Sequence, residues 1–492
     1  MPTRLNAAGL ISAAVRIVVG LSLFFALEGV AAERQLPAEL AKQLRAHKIP
    51  LSAVSLFVQE VTAERPVLTL NEQVPRNPAS TMKLVTTLAA LELLGPAYSW
   101  KTKAYITGKL RDGRLDGDLI LKGYGDPWLT PERFWMFLHG LRDRGIEDIR
   151  GDVIIDASHF QLPKAGRGDF DGKANRVYNA LPHALSLNFQ ATRLVLRPDE
   201  SGKGMHAFTY PPLDNVRIDN QIRLVSGPCR KGQMWPRLSV DDRKEDATLE
   251  LGGDYSDQCP EFNHAYLLMD PADHVSGAFR ALWTELGGQL RGKVRRGARP
   301  KGAKIFHSMK SPHLDEVIRG MNKHSNNLMS RLLLLTLAAE RGHAPGTLEK
   351  GRKVVADWLR SHRLGGSGFV LDNGAGLSRS ARISAADLGG LLLAAYRGVQ
   401  MPAFMASLPV AGVDGTMRKR LRKGPLTGRV YLKTGSLRNV RAIAGYVLDR
   451  NGKRWAVVLM INHKGIAWQA KLMQEALLRW VYRGADGAAA QG

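Results

Sequence analysis

Three short stretches, in fixed order, constrain the fold of this chain more than any other feature: Ser80-Thr81-Met82-Lys83, Ser325-Asn326-Asn327 and Lys433-Thr434-Gly435. If they serve one site, nearly half the chain must fold as an excursion between the first and the second. The third must then return from near the C-terminus. With 492 residues the chain is also too long for one core, so two or three domains are expected.

Local pattern places the stretches on elements. The run 80–94 reads as a helix ended by Gly95-Pro96, with Leu84, Leu88, Ala89 and Leu91 crowding most of its circumference. A helix that apolar is buried, and a serine in its first turn lies among free backbone N–H groups. Ser325 and Asn327 fall on a loop or helix start within a helical pattern over 314–339. Lys433 ends a strand over 430–433. Segments 442–448 and 454–461 read as strands joined by the hairpin turn Arg450-Asn451-Gly452-Lys453. A last helix over 466–482 sets Leu472, Ala476 and Trp480 on one face for packing against the sheet; a membrane-surface role is the alternative. Character changes after Trp100. From 101 to 160 the chain is β-rich, with one helix near 131–144, and strands follow at 216–225 and 247–251.

The residue types suit acyl transfer. A serine hydroxyl is a poor nucleophile at neutral pH and needs a base within hydrogen-bond reach. Lys83, one helical turn from Ser80, is that base if burial or a nearby cation lowers its pKa. Lys433 is the candidate cation. Ser325 offers a second hydroxyl to pass a proton to a leaving amine. Asn327 can donate to a substrate carbonyl through its NH2 and accept from Lys83 through its oxygen. Lys433 and Thr434 can bind a carboxylate, and Gly435 lets a substrate lie along the strand edge. The N–H groups of Ser80 and Ser436 are candidates for an oxyanion hole. Each motif alone has a plain structural reading: a chance Ser-x-x-Lys match, a helix cap, a solvated strand-end lysine. Their joint order favours the site.

The ends and the charge add context. Arg4 and Arg16 precede an apolar run over 17–27, and Val30-Ala31-Ala32 follows, which fits a cleaved secretory signal over residues 1–32. An uncleaved anchor is the alternative. In an exported chain a disulfide between Cys229 and Cys259 is favoured over two free thiols. No His/Cys cluster has metal-ligand spacing, so no metal is expected. Formal charge is +25. Export argues against nucleic acid as the partner and for an anionic envelope polymer, with at most peripheral membrane association. The most basic stretch, 291–304, reads either as part of such a surface or as a solvated face.

The strings Asn77-Pro78-Ala79-Ser80-Thr81-Met82-Lys83, Leu121-Lys122-Gly123-Tyr124-Gly125-Asp126-Pro127, Leu371-Asp372-Asn373-Gly374-Ala375-Gly376-Leu377-Ser378-Arg379, Leu408-Pro409-Val410-Ala411-Gly412-Val413-Asp414-Gly415-Thr416 and Ile461-Asn462-His463 extend the pattern. With them, nearly all of the chain after residue 32 resembles the S13-type D-alanyl-D-alanine carboxypeptidase/endopeptidases, the class C low-molecular-mass penicillin-binding proteins. The resemblance implies an α+β fold: a penicillin-binding transpeptidase/β-lactamase-like domain, an antiparallel sheet flanked by helices, with two inserted β-rich domains. The implied boundaries are 33–98 and 307–492 for the peptidase domain, 99–185 and 262–306 for the first insert, and 186–261 for a second insert nested in it. It implies a periplasmic enzyme without cofactor that acts on peptidoglycan stem peptides, with β-lactam antibiotics as covalent inhibitors. It also implies that Asp156 holds the free amine of a diaminopimelate side chain and that Arg379 lies near its carboxylate.

Two positions depart from the family pattern: Asn326 stands where Asp is usual, and Arg438 where a neutral amide is expected. If Arg438 lines the same pocket, it favours a carboxylate over an amide. The rival readings are a β-lactamase, for which no Glu-x-x-Leu-Asn deacylation stretch is present between the first two motifs, and a non-catalytic cell-wall-binding protein.

Overall fold

The computed structural model describes residues 36–201, 204–230, 237–241 and 246–485, so the targeting segment read over 1–32 lies outside the described residues. The frame around the three motifs is a five-stranded antiparallel sheet. Its strands are β1 (Val54–Glu60), β2 (Leu68–Leu70), β3 (Val430–Leu437), β4 (Val440–Leu448) and β5 (Arg454–Asn462), in the order β3-β4-β5-β1-β2. Chain ends far apart in sequence therefore pair directly, β1 against β5.

Period-two alternation splits these strands between two cores. Phe57, Ala442, Ala444, Tyr446, Ala456, Val458 and Met460 face one side, while Val54, Leu56, Val58, Leu432, Ile443, Val457 and Leu459 face the other. Helices cover both faces: α1 (Ala38–Ala46), α2 (Lys83–Leu94), α3 (Leu314–His324), α4 (Asn327–Arg341), α5 (Leu348–Ser361), α6 (Ala385–Arg397) and α7 (Gln469–Tyr482). Helices α2 to α6 pack on the Phe57 side, α1 and α7 on the other. The first nine residues of α2 are all buried, Lys83 among them, and Gly95 at a left-handed φ of 82° ends it.

Three sequence expectations change here. Ser80 is not in the α-helix proper: Ala79–Met82 forms a 3-10 turn and the α-helix begins at Lys83. The helical pattern over 314–339 is two helices, broken where Ser325 takes a left-handed φ of 56° and Asn326 caps α4 by accepting from Met329 N at 3.0 Å. Asn326 thus does at this position what an aspartate carboxylate would also do. In α7 the buried stripe is Ala470, Met473, Leu477 and Val481, with Ala476 beside it, while Leu472 is exposed. Of the three residues expected to face the sheet, Ala476 is buried and Trp480 packs against the same core, and Leu472 alone falls outside it.

Among the described residues, the excursion between α2 and α3 builds four further sheets. One has five strands in the order Val294–Arg296, Val153–Asp156, Leu119–Gly123, Lys101–Ile106, Lys304–Lys310. A small four-stranded sheet runs through Gln289–Leu290 and Asp148–Ile149. Two three-stranded sheets are nested further in, one of them pairing Val216–Val225 parallel to Ala247–Ser256. Strand pairing moves two of the boundaries read from sequence. Phe262–Tyr266 pairs with Thr192–Pro198 and so belongs with the nested sheets, and Lys304–Lys310 pairs with Lys101–Ile106 and carries the outer sheet past residue 306. A single cluster of buried side chains, from Ala104 through Leu196 and Leu249 to Trp283, runs through both parts of the insert.

Within the basic stretch, Arg291, Arg295 and Arg296 pair with Asp148, Asp152 and Asp273 at 3.4, 2.6 and 2.6 Å. Acids from neighbouring strands and a helix thus neutralise part of it. Among the described residues no helix is long and apolar enough to cross a membrane.

Cys229 and Cys259 form a disulfide that closes a loop of 30 residues in the nested part. Loop-closure entropy assigns such a bridge about 3–4 kcal/mol. The double variant Cys229→Ser/Cys259→Ser is expected to melt the nested sheets at lower denaturant while the β1–β5 sheet keeps its own midpoint. Circular dichroism with limited proteolysis reads this; a single unshifted transition would count against it.

Candidate active site

The turn carrying Ser80 is held by two asparagine side chains and by the close approach of a glycine. Asn77 Oδ1 accepts from Ala79 N at 2.9 Å, and Asn77 Nδ2 donates to Ser378 O at 2.8 Å. Asn462 at the end of β5 exchanges two bonds with the backbone of Asn77, at 2.9 and 3.1 Å. Gly376 has a left-handed φ of 73°, and a Cβ there would lie 1.8 Å from Ala79 O, so only glycine lets that loop rest on the turn. In a 3-10 turn residues i and i+3 eclipse, which directs the Lys83 side chain along the same edge as Ser80.

Lys83 Nζ has three oxygen neighbours: Ser80 Oγ at 3.0 Å, Asn327 Oδ1 at 2.8 Å and Ala375 O at 2.6 Å. Its side chain is fully buried. Burial first, then the nearby charges of Lys433 and Arg331, push its pKa well below the usual lysine value. A neutral amine has two N–H donors and one lone pair. Ala375 O and Asn327 Oδ1 accept the two hydrogens, and the lone pair remains for the Ser80 hydroxyl to donate into. The geometry is that of a general base.

Asn327 meets half of its expected role. Its oxygen accepts from Lys83, but its Nδ2 donates to the carbonyl of Tyr178 at 3.0 Å, a residue of the insert, rather than being wholly free for substrate.

Strand β3 brings the third motif alongside. Its alternation puts Leu432 toward one core and Lys433, fully buried, toward the helices. Lys433 Nζ donates to Ser325 Oγ at 2.7 Å and to Thr434 O at 3.1 Å, and burial lowers its pKa to about 7. Ser325, at the left-handed break between α3 and α4, is half-buried and reachable from solvent. Thr434 Oγ1 donates to Thr416 Oγ1 at 3.0 Å. The loop carrying Thr416 is fixed by Asp414, whose carboxylate pairs with Lys323 at 2.7 Å and accepts from Val410 N at 2.8 Å.

β3 is an edge strand. Leu432 N donates outward to Pro409 O, and by alternation the N–H groups of Thr434 and Ser436 also face outward. The edge from Thr434 to Ser436 is thus open beside Ser80.

Two of the expected substrate contacts share one recess. Arg379 and Arg438, both exposed, line a basic cavity of about 510 Å³ with Asn77, Arg382 and Lys464. The Arg379 guanidinium lies 4.6 Å over the Phe170 ring. Asp156 is a correction. It is fully buried, and its carboxylate already accepts from Lys122 Nζ at 2.9 Å, Ser158 N at 2.8 Å and Arg299 N at 2.8 Å. Lys122 supplies the ammonium that a substrate amine was expected to supply, and the group ties the inserted strands together.

Sequence reasoning passed over four contributors. The carbonyls of Ala375 and Tyr178 carry no side-chain signal, although Ala375 lies in one of the family-like strings. Thr416 ends another. Arg331 had a visible mark: it is the one charged residue in the long apolar run 328–339.

Gly435 sets the approach of β3 to the serine turn. A Cβ there would stand 2.6 Å from Pro78 O and 3.1 Å from Ser80 N. Gly435→Ala must push the strand off that backbone, which costs about 1–3 kcal/mol of stability, and the displacement is expected to slow Ser80 acylation of the folded protein about tenfold or more. An unchanged acylation rate would show that the spacing is not needed.

The model of the D-Ala-D-Ala carboxypeptidase 3 (S13) family matches residues 36–482. The D-alanyl-D-alanine carboxypeptidase DacB of Haemophilus influenzae is 25% identical over 387 residues, 78% of this chain and 80% of that protein. The D-alanyl-D-alanine carboxypeptidase of Actinomadura sp. (strain R39) is 27% identical over 405 residues, 79% and 74% of the two chains. The crystal structure of penicillin binding protein 4 (dacB) from Haemophilus influenzae covers 90% of this chain and 99% of its own, at a TM-score of 0.76 and 22% identity, a likeness of fold. With sheet, motifs and family match in agreement, the chain belongs to the D-Ala-D-Ala carboxypeptidase 3 (S13) family of serine peptidases.

Proposed function

We propose that this chain is a periplasmic D,D-peptidase that cleaves the terminal D-Ala-D-Ala bond of peptidoglycan stem peptides through an acyl-enzyme on Ser80. The observation that carries this is the buried Lys83 amine, with acceptors on two sides and Ser80 Oγ 3.0 Å away on the third. Ser80 Oγ attacks the carbonyl carbon as its proton passes to Lys83 Nζ. The oxygen of that carbonyl takes up negative charge facing the N–H groups of Ser80 and Ser436. As the C–N bond breaks, Ser325 Oγ donates a proton to the departing amine and is resupplied by Lys433 Nζ, 2.7 Å away. Thr434, Thr416 and the Lys433 charge bind the terminal carboxylate. Water then attacks the ester, its proton passing through Ser325 back to Lys433, while Lys83 returns its proton to the departing Ser80 Oγ and the free enzyme is restored. Relatives named carboxypeptidases and a neighbour named a penicillin binding protein support both the substrate class and covalent inhibition by β-lactams. The chemistry extends to a D-Ala-diaminopimelate cross-link, so endopeptidase activity accompanies it. The export signal read over 1–32 supports the periplasm.

Mass spectrometry of the protein after benzylpenicillin tests this. The expected result is one adduct, on Ser80, absent in Ser80→Ala; an adduct that survives in that variant would remove Ser80 as nucleophile. The same measurement over pH carries a sign. Protonation of Lys83 removes the base, so acylation falls toward acid. Lys433 is charged below about 7 and neutral above it, so kcat/KM for a carboxylate-ended peptide falls as pH rises through that region.

The basic recess beyond Ser436 accounts for the departure at Arg438. Arg379 and Arg438 together favour a free carboxylate on the acyl side of the peptide. Turnover of free-carboxylate peptides is expected to exceed that of their amidated forms, with Arg438→Gln narrowing the gap. Equal turnover, or a preference for the amide, would exclude this.

A further inference from the structure

The catalytic amine owes its polarity to a neighbour outside the peptidase domain. A side-chain amide can present either its oxygen or its NH2 to Lys83. With Oδ1 toward the amine it accepts an N–H and leaves the lone pair for Ser80. Flipped, Asn327 would donate into that lone pair and occupy the position the serine proton must take. A backbone carbonyl only accepts, so the contact from Asn327 Nδ2 to Tyr178 O, at 3.0 Å, admits the productive orientation alone.

Tyr178 lies in a strap of the insert that crosses the outer face of α4. Ala180 and Ala184 of the strap pack with Leu328, Leu332 and Leu335 of that helix. One turn on from Asn327, Arg331 Nη1 donates to Ala180 O at 2.9 Å. Two side chains on one face of α4 thus grip two carbonyls of one short turn, Val177–Asn179 and the residue after it. The turn is shaped from within by Asp171, whose carboxylate accepts from Tyr178 OH at 2.7 Å, Asn179 Nδ2 at 2.8 Å and Lys173 N at 3.2 Å. Leu267 N donates to Asn175 O at 3.0 Å and ties the strap back to the rest of the insert.

We propose that the insert completes the catalytic centre: the strap fixes the Asn327 amide through the Tyr178 carbonyl, and Asp171 and Arg331 are positioning residues for proton transfer from Ser80 to Lys83. This rests on the reading of Ser80 and Lys83 given above. Their proposed action runs through Asn327 and the base. Arg331 has a second effect. The charged groups acting on Lys83 are Lys433 from β3 and Arg331 from α4, both cations, and Arg331 in turn has Asp372 nearby, itself paired with Arg352 at 2.7 Å. A cation beside the amine disfavours its protonated form.

The test is the second-order rate of Ser80 acylation by benzylpenicillin, read by mass spectrometry over pH on the full chain, with thermal melts alongside. Asp171→Ala removes the anchor of the turn at a half-exposed site. It is expected to acylate about tenfold more slowly with an unshifted melt and an acid limb in its original place. Arg331→Met removes both the grip and the charge. It is expected to be slower and to move the acid limb to higher pH, because Lys83 then keeps its proton longer; Arg331→Lys restores the limb but not the full rate. If both Asp171→Ala and Arg331→Met match the unmodified protein in rate and profile, or slow only by their unfolded fraction, the proposal is overturned. Were the unmodified protein to form no adduct, the reading of Ser80 would fail and take this one with it.

Discussion

Everything in this site depends on a lysine amine shut off from solvent and, among the described residues, with cations rather than an acid acting on it. An ammonium is at ease in solvent or next to a carboxylate. Lys83 has neither: it starts a helix buried on all sides, its two nearest charges are positive, and its hydrogen-bond partners are a carbonyl, an amide oxygen and a hydroxyl. The neutral form is the one this environment solvates well. Burial of a polar group is costly unless its bonds are made, and the fold makes them from three segments far apart in sequence.

That requirement explains the architecture around it. The serine turn is braced by Asn77 and Asn462, which belong to opposite ends of the peptidase domain. Ala375 arrives on a loop that can approach only because position 376 is glycine. β3 contributes Lys433 by simple strand alternation, and its outer edge stays open from Thr434 onward while its earlier residues are paired with the segment around Pro409. The same edge is therefore paired at one end and free to take a further strand at the other. The insert is held against the back of α4, and the buried interface there contains the acceptor that orients Asn327.

Charge tells a more local story than the total suggests. A formal +25 reads as a uniformly basic surface, yet arginines of the 291–304 stretch are matched by aspartates from adjacent elements. The recess of Arg379, Arg382, Arg438 and Lys464 next to the serine turn is different, because its lining is all cationic or neutral. Two groups that look alike in a list of acids also diverge. Asp414 fixes the loop that carries Thr416, in contact with Lys323, whereas Asp156 is engaged by Lys122 and by backbone donors of the insert.

The sequence by itself determined the residue types and their order: a hydroxyl with an amine three residues on, a second hydroxyl, and a strand-borne cation before a glycine. It determined the buried helix, the terminal hairpin and the existence of a large β-rich excursion, because each is written in local periodicity or in side-chain type. Tertiary structure alone decided the rest. Whether Ser80 sits in an α or a 3-10 turn depends on what the turn is bonded to. Which stripe of α7 is buried depends on where the sheet lies, and which strand closes each inserted sheet depends on pairing across long loops. Asp156 had the right type for a substrate contact, but a carboxylate answers to whichever cation reaches it first, and Lys122 is on the adjacent strand. The carbonyls of Ala375 and Tyr178 were illegible for the simplest reason: every residue has one, and only the folded backbone says where it points.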